Sequence, residues 1–402
     1  MLGDGTLGQF FPKVEYEARW QRVHAEMKRR GYETAVVFGR SGGTNDRCGD
    51  VLYLTNFYST ASGQGYDSKI FEGRSFNSVL LRLGEIPELH ADEPGLRMEI
   101  IATDRIVTSN RPFIEIAMAL KERGVKGKVA LVGSDVVPLK YWRHMQEAAP
   151  GIDWHVEDDI VVKCRLIKSA REQDALRIGG EIAARGLGRM MEALIAGRSE
   201  AEAASEAARE IVRSGGTIHM LPTCFGEHIA KFVRNPIAGY THESPVSGDL
   251  VRGWVYGPMF EGYYLDPGRT AVCGNKPTTE VKDLVETGAR IVEAIIEQIR
   301  PGARVKDVAL HGRRLCAQYG AESNQMSEKW PHFGHGIGLF FERPYIGPEM
   351  CDDDDVFLEG MALGVETFYG REGVGAAGFE QNVLVTVKGT EIITKTPMLF
   401  WD

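Results

Sequence analysis

REQDALRIGGEIAARGLGRMMEALIAG, residues 171–197, is the run on which the reading of the fold turns. Its apolar residues recur at helical spacing, and SEAEAASEAAREIVRSGG at 199–216 follows with Ser199 in an N-cap position. Upstream of this helical block, short helices and short strands alternate. YEARWQRVHAEMKRRG (16–31) predicts an amphipathic helix stopped at Gly31, and ETAVVF (33–38) a buried strand. VLYLTNF (51–57) predicts another strand, residues 112–124 a charged helix, and Val129–Val132 a further strand. That alternation implies an α/β N-terminal domain over residues 1–163.

Downstream of Gly216 the pattern becomes strand-like and rich in glycine. TTEVKDLVETGARIVEAIIEQI (278–299) predicts a long helix stopped by Pro301-Gly302, and Val305–Tyr319 a shorter one. From about residue 330 onward strands and glycine-bearing turns remain. This order fits an α+β C-terminal domain, residues 164–402, with helices covering one curved antiparallel sheet.

Bulk properties exclude several classes. The 402 residues suit two domains, and 43% apolar with 26% charged residues is an ordinary globular balance. A net charge of −9 argues against a nucleic-acid partner, since a phosphate backbone calls for a basic surface. No continuous apolar run is long enough to span a membrane, and MLGDGTLGQFFPK lacks the basic start and apolar core of a secretory signal. Six scattered cysteines without a CxxC pair imply free thiols in a cytoplasmic protein. The acidic run CDDDDV (351–356) reads as a solvated loop.

Four stretches place polar residues inside strand-like surroundings: GYYLDPGRT with Asp266, HFGHGIGL with His332 and His335, MALGVETF with Glu366, and GFEQNVLVTV with Glu380. An imidazole and three carboxylates suit Mn, Fe, Co or Zn. Singly, each has a structural explanation: Asp266 precedes Pro267-Gly268 as a turn residue would, and His335 lies between glycines. Glu366 resists that explanation, because it interrupts an apolar strand and a buried carboxylate is costly without a cation or donor. Gly39-Arg40-Ser41-Gly42-Gly43 satisfies G-x-S-x-G literally, but no helix pattern follows the serine as a nucleophile elbow requires.

The order Asp266, His335, Glu366, Glu380 resembles the clan of creatinase, prolidase, aminopeptidase P and methionine aminopeptidase. VLYLTNF, RLIKSAREQDALR (165–177), GDLV (248–251), IRPGARVKDV (299–308), GHGIGL, LEGMALGVETF (358–368) and GFEQNVLVT also fall in that family's order. The resemblance implies the pita-bread fold, a homodimer, and a five-ligand dinuclear site of Asp, Asp, His, Glu, Glu with the two aspartates eleven positions apart. Here the position eleven before Asp266 is Val255, so the first aspartate is absent. The remaining four residues would form a mononuclear site, with Glu366 or Glu380 also shuttling protons. The alternative is a metal-free, creatinase-like site in which His335 and the glutamates act directly on water; retention of Asp266 favours the metal.

By the same resemblance His242, in YTHESPVSGD, corresponds to a histidine that binds substrate or stabilises developing charge. The family's second histidine, seven residues beyond His335, is Glu342 here, within FFERP. Phe340, Phe341, Glu342 and Arg343 are therefore candidates for an altered substrate pocket, against packing for the phenylalanines and a solvated face for Arg343. Arg40, Arg234 and Arg371 suit an anionic substrate group or a plain surface charge. The implied activity is hydrolysis of a C–N bond in an Xaa-Pro dipeptide or a small non-peptide amide or amidine. A lyase on the same scaffold and a non-catalytic binding module are the other readings.

Overall fold

The computed structural model describes residues 10–41, 47–59, 72, 75–92, 96–235, 237, 239–320 and 332–401. The chain divides into two units, Met1–Arg165 and Leu166–Asp402. In the first unit the elements run α1 (Lys13–Arg30), β1 (Thr34–Arg40), α2 (Gly49–Thr55), β2 (Phe76–Arg82), β3 (Glu88–Ala91), β4 (Arg105–Thr108), α3 (Pro112–Glu122), β5 (Gly127–Val132), α4 (Leu139–Ala148), β6 (Ile152–Val156) and α5 (Asp159–Arg165). The strands form one sheet in the order β4-β3-β2-β1-β5-β6, parallel at β3–β4, β1–β5 and β5–β6 and antiparallel elsewhere. Helix α1 ends where Gly31 turns left-handed at φ 78° and returns its N–H to Lys28 and Met27.

One element differs from expectation. VLYLTNF forms most of helix α2 rather than a strand. Asn56 takes the left-handed conformation and caps the helix by donating its N–H to Leu52, while Thr55 Oγ1 donates to the Val51 carbonyl. Val51, Tyr53, Leu54 and Thr55 are all buried, so the run lacks the polar face that would have marked it as helical.

The second unit runs α6 (Ala170–Ile195), α7 (Glu200–Arg213), β7 (Thr223–Phe225), β8 (Leu250–Trp254), β9 (Gly257–Phe260), β10 (Tyr263–Leu265), β11 (Gly268–Val272), α8 (Thr279–Ile296), α9 (Val305–Gln318), β12 (Gly334–Ile337), β13 (Phe341–Tyr345), β14 (Ala362–Arg371), β15 (Gly375–Thr386) and β16 (Gly389–Ile392). Ser169 and Glu172, then Ser199 and Glu202, make reciprocal capping boxes that start α6 and α7. The main sheet is ordered β13-β12-β14-β15-β11-β8-β7, with β16 on β15, and its recorded pairings are antiparallel.

Leu284, Val285, Ile291, Val292 and Ile295 of α8 share one core with Val365 of β14 and Phe379 and Val383 of β15. Since strand side chains alternate between faces, Glu366, Glu380 and Asn382 lie on the other side of the sheet from that core. All six cysteines are free thiols. No helix among the described residues is long and apolar enough to cross a membrane.

Candidate metal centre

The β14–β15 register sets Glu366 directly opposite Glu380, and the flanking strands bring the other candidates alongside. His335 pairs with Gly364 of β14, and Gly268, two residues beyond Asp266, pairs with Glu380. Four adjacent strands, β12-β14-β15-β11, thus gather the four residues named from sequence. All four are buried, at 3–4% exposure. Like charges on opposed strand positions repel, and burial strengthens that repulsion. Burial first, then Asp266 and Glu366, push the Glu380 carboxyl well above the usual range.

Asp266 and Glu380 each have one oxygen held by a donor. Asn382 Nδ2 donates to Asp266 Oδ1 at 2.5 Å, and the Trp254 indole N–H donates to Glu380 Oε2 at 2.6 Å. The other oxygens, Asp266 Oδ2 and Glu380 Oε1, are buried without a hydrogen-bond partner among the described residues. They face His335 Nε2 at 3.4 and 3.9 Å, and these three atoms lie within 4.8 Å of one another. His335 Nδ1 sits 3.1 Å from the Gly336 carbonyl, which places its proton there and leaves a lone pair on Nε2. Glu366 Oε1 lies 3.9 Å from the same Nε2. Buried acceptors converging without a donor are what a cation requires, and the oxygen-and-imidazole set fits a divalent first-row ion.

The sheet leaves room for this convergence at Gly364. A Cβ there would stand 2.4 Å from Glu380 Oε1 and 3.1 Å from Asp266 Oδ1.

His332 joins the site from just outside β12. Its Nδ1 accepts the Gly334 N–H at 3.3 Å and lies 3.3 Å from Glu366 Oε1. Burial, reinforced by His335, pushes its pKa down to about 4. Sequence reasoning noted His332 but gave it no role, although two histidines three apart were a usable signal. It missed Asn382 and Trp254. Asn382 was legible as the second polar residue on the Glu380 face of one strand; Trp254 reads simply as core.

The substrate candidates separate. Phe341 is half-buried, with its ring centroid 4.2 Å from that of His335 and 5.1 Å from that of Tyr256. Phe340 packs on Phe341 and Tyr264 at 5.6 and 5.7 Å. Glu342 is buried and engaged by Lys168 Nζ at 2.5 Å. Arg343 is exposed and paired with Asp352 at 2.8 Å, the solvated-face alternative; Asp353 likewise meets Lys306. His242 is exposed in the 241–243 segment that packs on the start of α7 through Thr241 and Glu243. No hydrogen bond or ion pair among the described residues joins His242 to the four clustered residues. Arg234 pairs with Glu243, Arg371 with Asp283, and Arg40 lies over the Phe76 ring. Of the G-x-S-x-G match, Gly42 and Gly43 lie outside the described residues.

Comparison with known proteins shows the family. The family model described as metallopeptidase family M24 matches residues 174–387. "Probable dipeptidase PepE" of Mycobacterium tuberculosis (strain ATCC 25618 / H37Rv) is 31% identical over 67% of this chain and 69% of its own length. "Xaa-Pro dipeptidase" of Pyrococcus horikoshii is 25% identical over 74% of this chain and 86% of its own. The crystal structure of recombinant prolidase from Thermococcus sibiricus superposes with a TM-score of 0.77 at 22% identity, over 96% of this chain and 98% of that one, a likeness of fold.

Proposed function

From the premise that the chain belongs to metallopeptidase family M24, we propose that it is a prolidase-like hydrolase that cleaves a C–N bond, with an Xaa-Pro dipeptide as the default substrate. Asp266, His335, Glu366 and Glu380 would hold one divalent ion of the Mn, Fe, Co or Zn group. The observation that supports this best is the pair of orphaned buried oxygens, Asp266 Oδ2 and Glu380 Oε1, aimed at the His335 Nε2 lone pair.

When bound, such an ion supplies Lewis-acid polarisation of the scissile carbonyl and acidifies an attacking water. The protein's own groups do the rest. Asn382 and Trp254 hold Asp266 and Glu380 so that one oxygen of each faces inward. Glu366 takes the proton of the attacking water and returns it to the departing nitrogen. Its Oε1 lies 3.3 Å from His332 Nδ1, and burial keeps that imidazole neutral, so it does not compete with Glu366 for the proton. Phe341, against the His335 ring, excludes bulk water from one side.

A second reading within this class follows from Glu342 and Val255. Glu342 stands where the resemblance expects a substrate-facing histidine, and Lys168 already engages its carboxylate. That favours a small non-peptide amide or amidine over an ordinary peptide. The homodimer implied by the resemblance and the cytoplasmic location implied by the scattered cysteines belong to the same proposal, and sedimentation of the purified chain reads its oligomeric state.

The test is elemental mass spectrometry on protein purified without chelator or affinity tag, beside Glu366→Ala, followed by assay of Xaa-Pro dipeptides and then of small amides and amidines. About one equivalent of metal in the wild type, reduced in the variant, with hydrolysis of a dipeptide or amide, is expected. A folded wild type without metal that hydrolyses an amidine would move the reading to creatinase-like acid–base chemistry. Elimination products would move it to a lyase; no metal and no turnover would leave a binding protein.

A further inference from the structure

Trp254 occupies the side of the carboxylate cluster that lies toward β8. Its indole is 4% exposed and stacks on Phe368 at 5.2 Å with an 18° interplanar angle. Phe368 lies two residues beyond Glu366 on β14, on the same face of the strand. The Arg252 guanidinium lies 5.8 Å from the Trp254 ring centroid and 5.4 Å from that of Phe368, and is itself 1% exposed.

The neighbouring backbone is shaped around the indole. A Cβ on Gly268, opposite Trp254 in the β8–β11 ladder, would stand 1.9 Å from Trp254 Cε2. A Cβ on Gly378 would stand 2.8 Å from Trp254 Cη2. Side chains of that size next to an indole do not coexist with it, so both glycines leave the space to the ring. The ring's one polar atom is spent on Glu380 Oε2 at 2.6 Å.

We propose that Trp254 is a positioning residue that limits this centre to a single cation: its N–H ties up Glu380 Oε2, and its ring fills the volume in which a second ion beside Glu380 would have to sit. Glu380 is left with one oxygen, Oε1, to offer, on the side of Asp266 and His335. A glutamate with both oxygens available could bridge two ions. This assignment rests on the metal centre proposed above and states why it is mononuclear.

The experiment titrates Mn2+ and Co2+ into the full chain, wild type and Trp254→Phe, by calorimetry, with bound metal counted by elemental analysis. Trp254→Phe keeps an aromatic ring in place while removing the N–H together with the pyrrole part of the indole. The wild type is expected to take one equivalent. Trp254→Phe is expected to bind it roughly 10- to 100-fold more weakly, the usual cost of deleting a hydrogen bond to a metal ligand, with unchanged circular dichroism. Gly268→Ala is the second probe, because its Cβ displaces the ring, and a parallel loss of affinity is expected. Wild-type affinity in whichever of the two variants folds overturns the assignment, as does uptake of two equivalents by the wild type. A folded wild type that takes up no ion at all sinks the metal centre itself, and this assignment with it.

Discussion

Asn382 grips Asp266 at two points, its Oδ1 accepting the Asp266 backbone N–H at 3.1 Å and its Nδ2 donating to Asp266 Oδ1 at 2.5 Å. The two residues lie on different strands or strand ends, so this contact fixes where the aspartate enters the centre. Asn382→Ala is expected to weaken metal binding by roughly tenfold or more while the far-ultraviolet circular dichroism stays unchanged. Calorimetric titration with Mn2+ reads the effect; unaltered affinity would remove Asn382 from the site.

Gly364 lies opposite His335 and faces the cluster, where even a methyl group would collide with Glu380 Oε1. Gly364→Ala should therefore abolish stoichiometric metal uptake and hydrolysis together. A variant that retained either would show that the carboxylates can rearrange around the added group.

Metal loading should also be visible as stability. Three buried carboxylates crowd one imidazole, and an ion bound in the native state alone stabilises it by about 2.7 kcal/mol at a hundredfold excess over Kd. For a chain of this size that corresponds to a rise of roughly 3 °C in Tm. Scanning calorimetry with and without EDTA should show that difference for the wild type and little of it for Glu366→Ala.

Lys168 and Glu342 form an ion pair in which both side chains are nearly inaccessible, at 2% and 1%. Removing one partner of a buried pair strands the other charge, at a cost of about 3–5 kcal/mol, whereas apolar replacement of both is often close to neutral. Lys168→Met alone is expected to be strongly destabilising, and Lys168→Met with Glu342→Leu to recover most of the loss in denaturant unfolding. If the double variant also recovered hydrolysis, Glu342 would have no part in substrate binding.

The contrast between α2 and the site shows what a single sequence discloses. Glu366 and Glu380 were legible because each interrupts an apolar strand, and Asp266 and His335 because they fall in the order of the family that the sequence resembles; the strand register then brings the four together. VLYLTNF was misread because a short helix with most of this run buried shows no polar stripe in it, leaving β-branched and aromatic residues to suggest a strand. Trp254 and Asn382 escaped because their importance lies in which atom they touch across the sheet. Pairings such as Gly268 with both Trp254 and Glu380 depend on long-range register, which no local pattern encodes.

In the first unit, Arg30 makes an acid-sensitive junction. Its guanidinium reaches Glu26, Glu157 and Asp159 at 2.6–2.7 Å, tying α1 to the start of α5. A hydrogen bond from Arg29 and further contacts with Arg30 lower the Glu26 pKa to about 2; a hydrogen bond from Arg30 lowers that of Asp159 to about 2. Both folded values lie below the unfolded ones, so the unfolded chain binds more protons at acid pH. Their stabilisation is therefore complete above about pH 4.5, the ordinary glutamate value, and is lost as pH falls toward 2. Because the groups are near the surface, solvent screening keeps the total on the order of 1 kcal/mol. Arg30→Met should lower Tm at pH 7 by roughly 2–4 °C and flatten the fall of Tm below pH 4.5, so that the two proteins converge at the acid end. A constant gap in Tm across the whole range would mean that Arg30 contributes packing, with its charge idle.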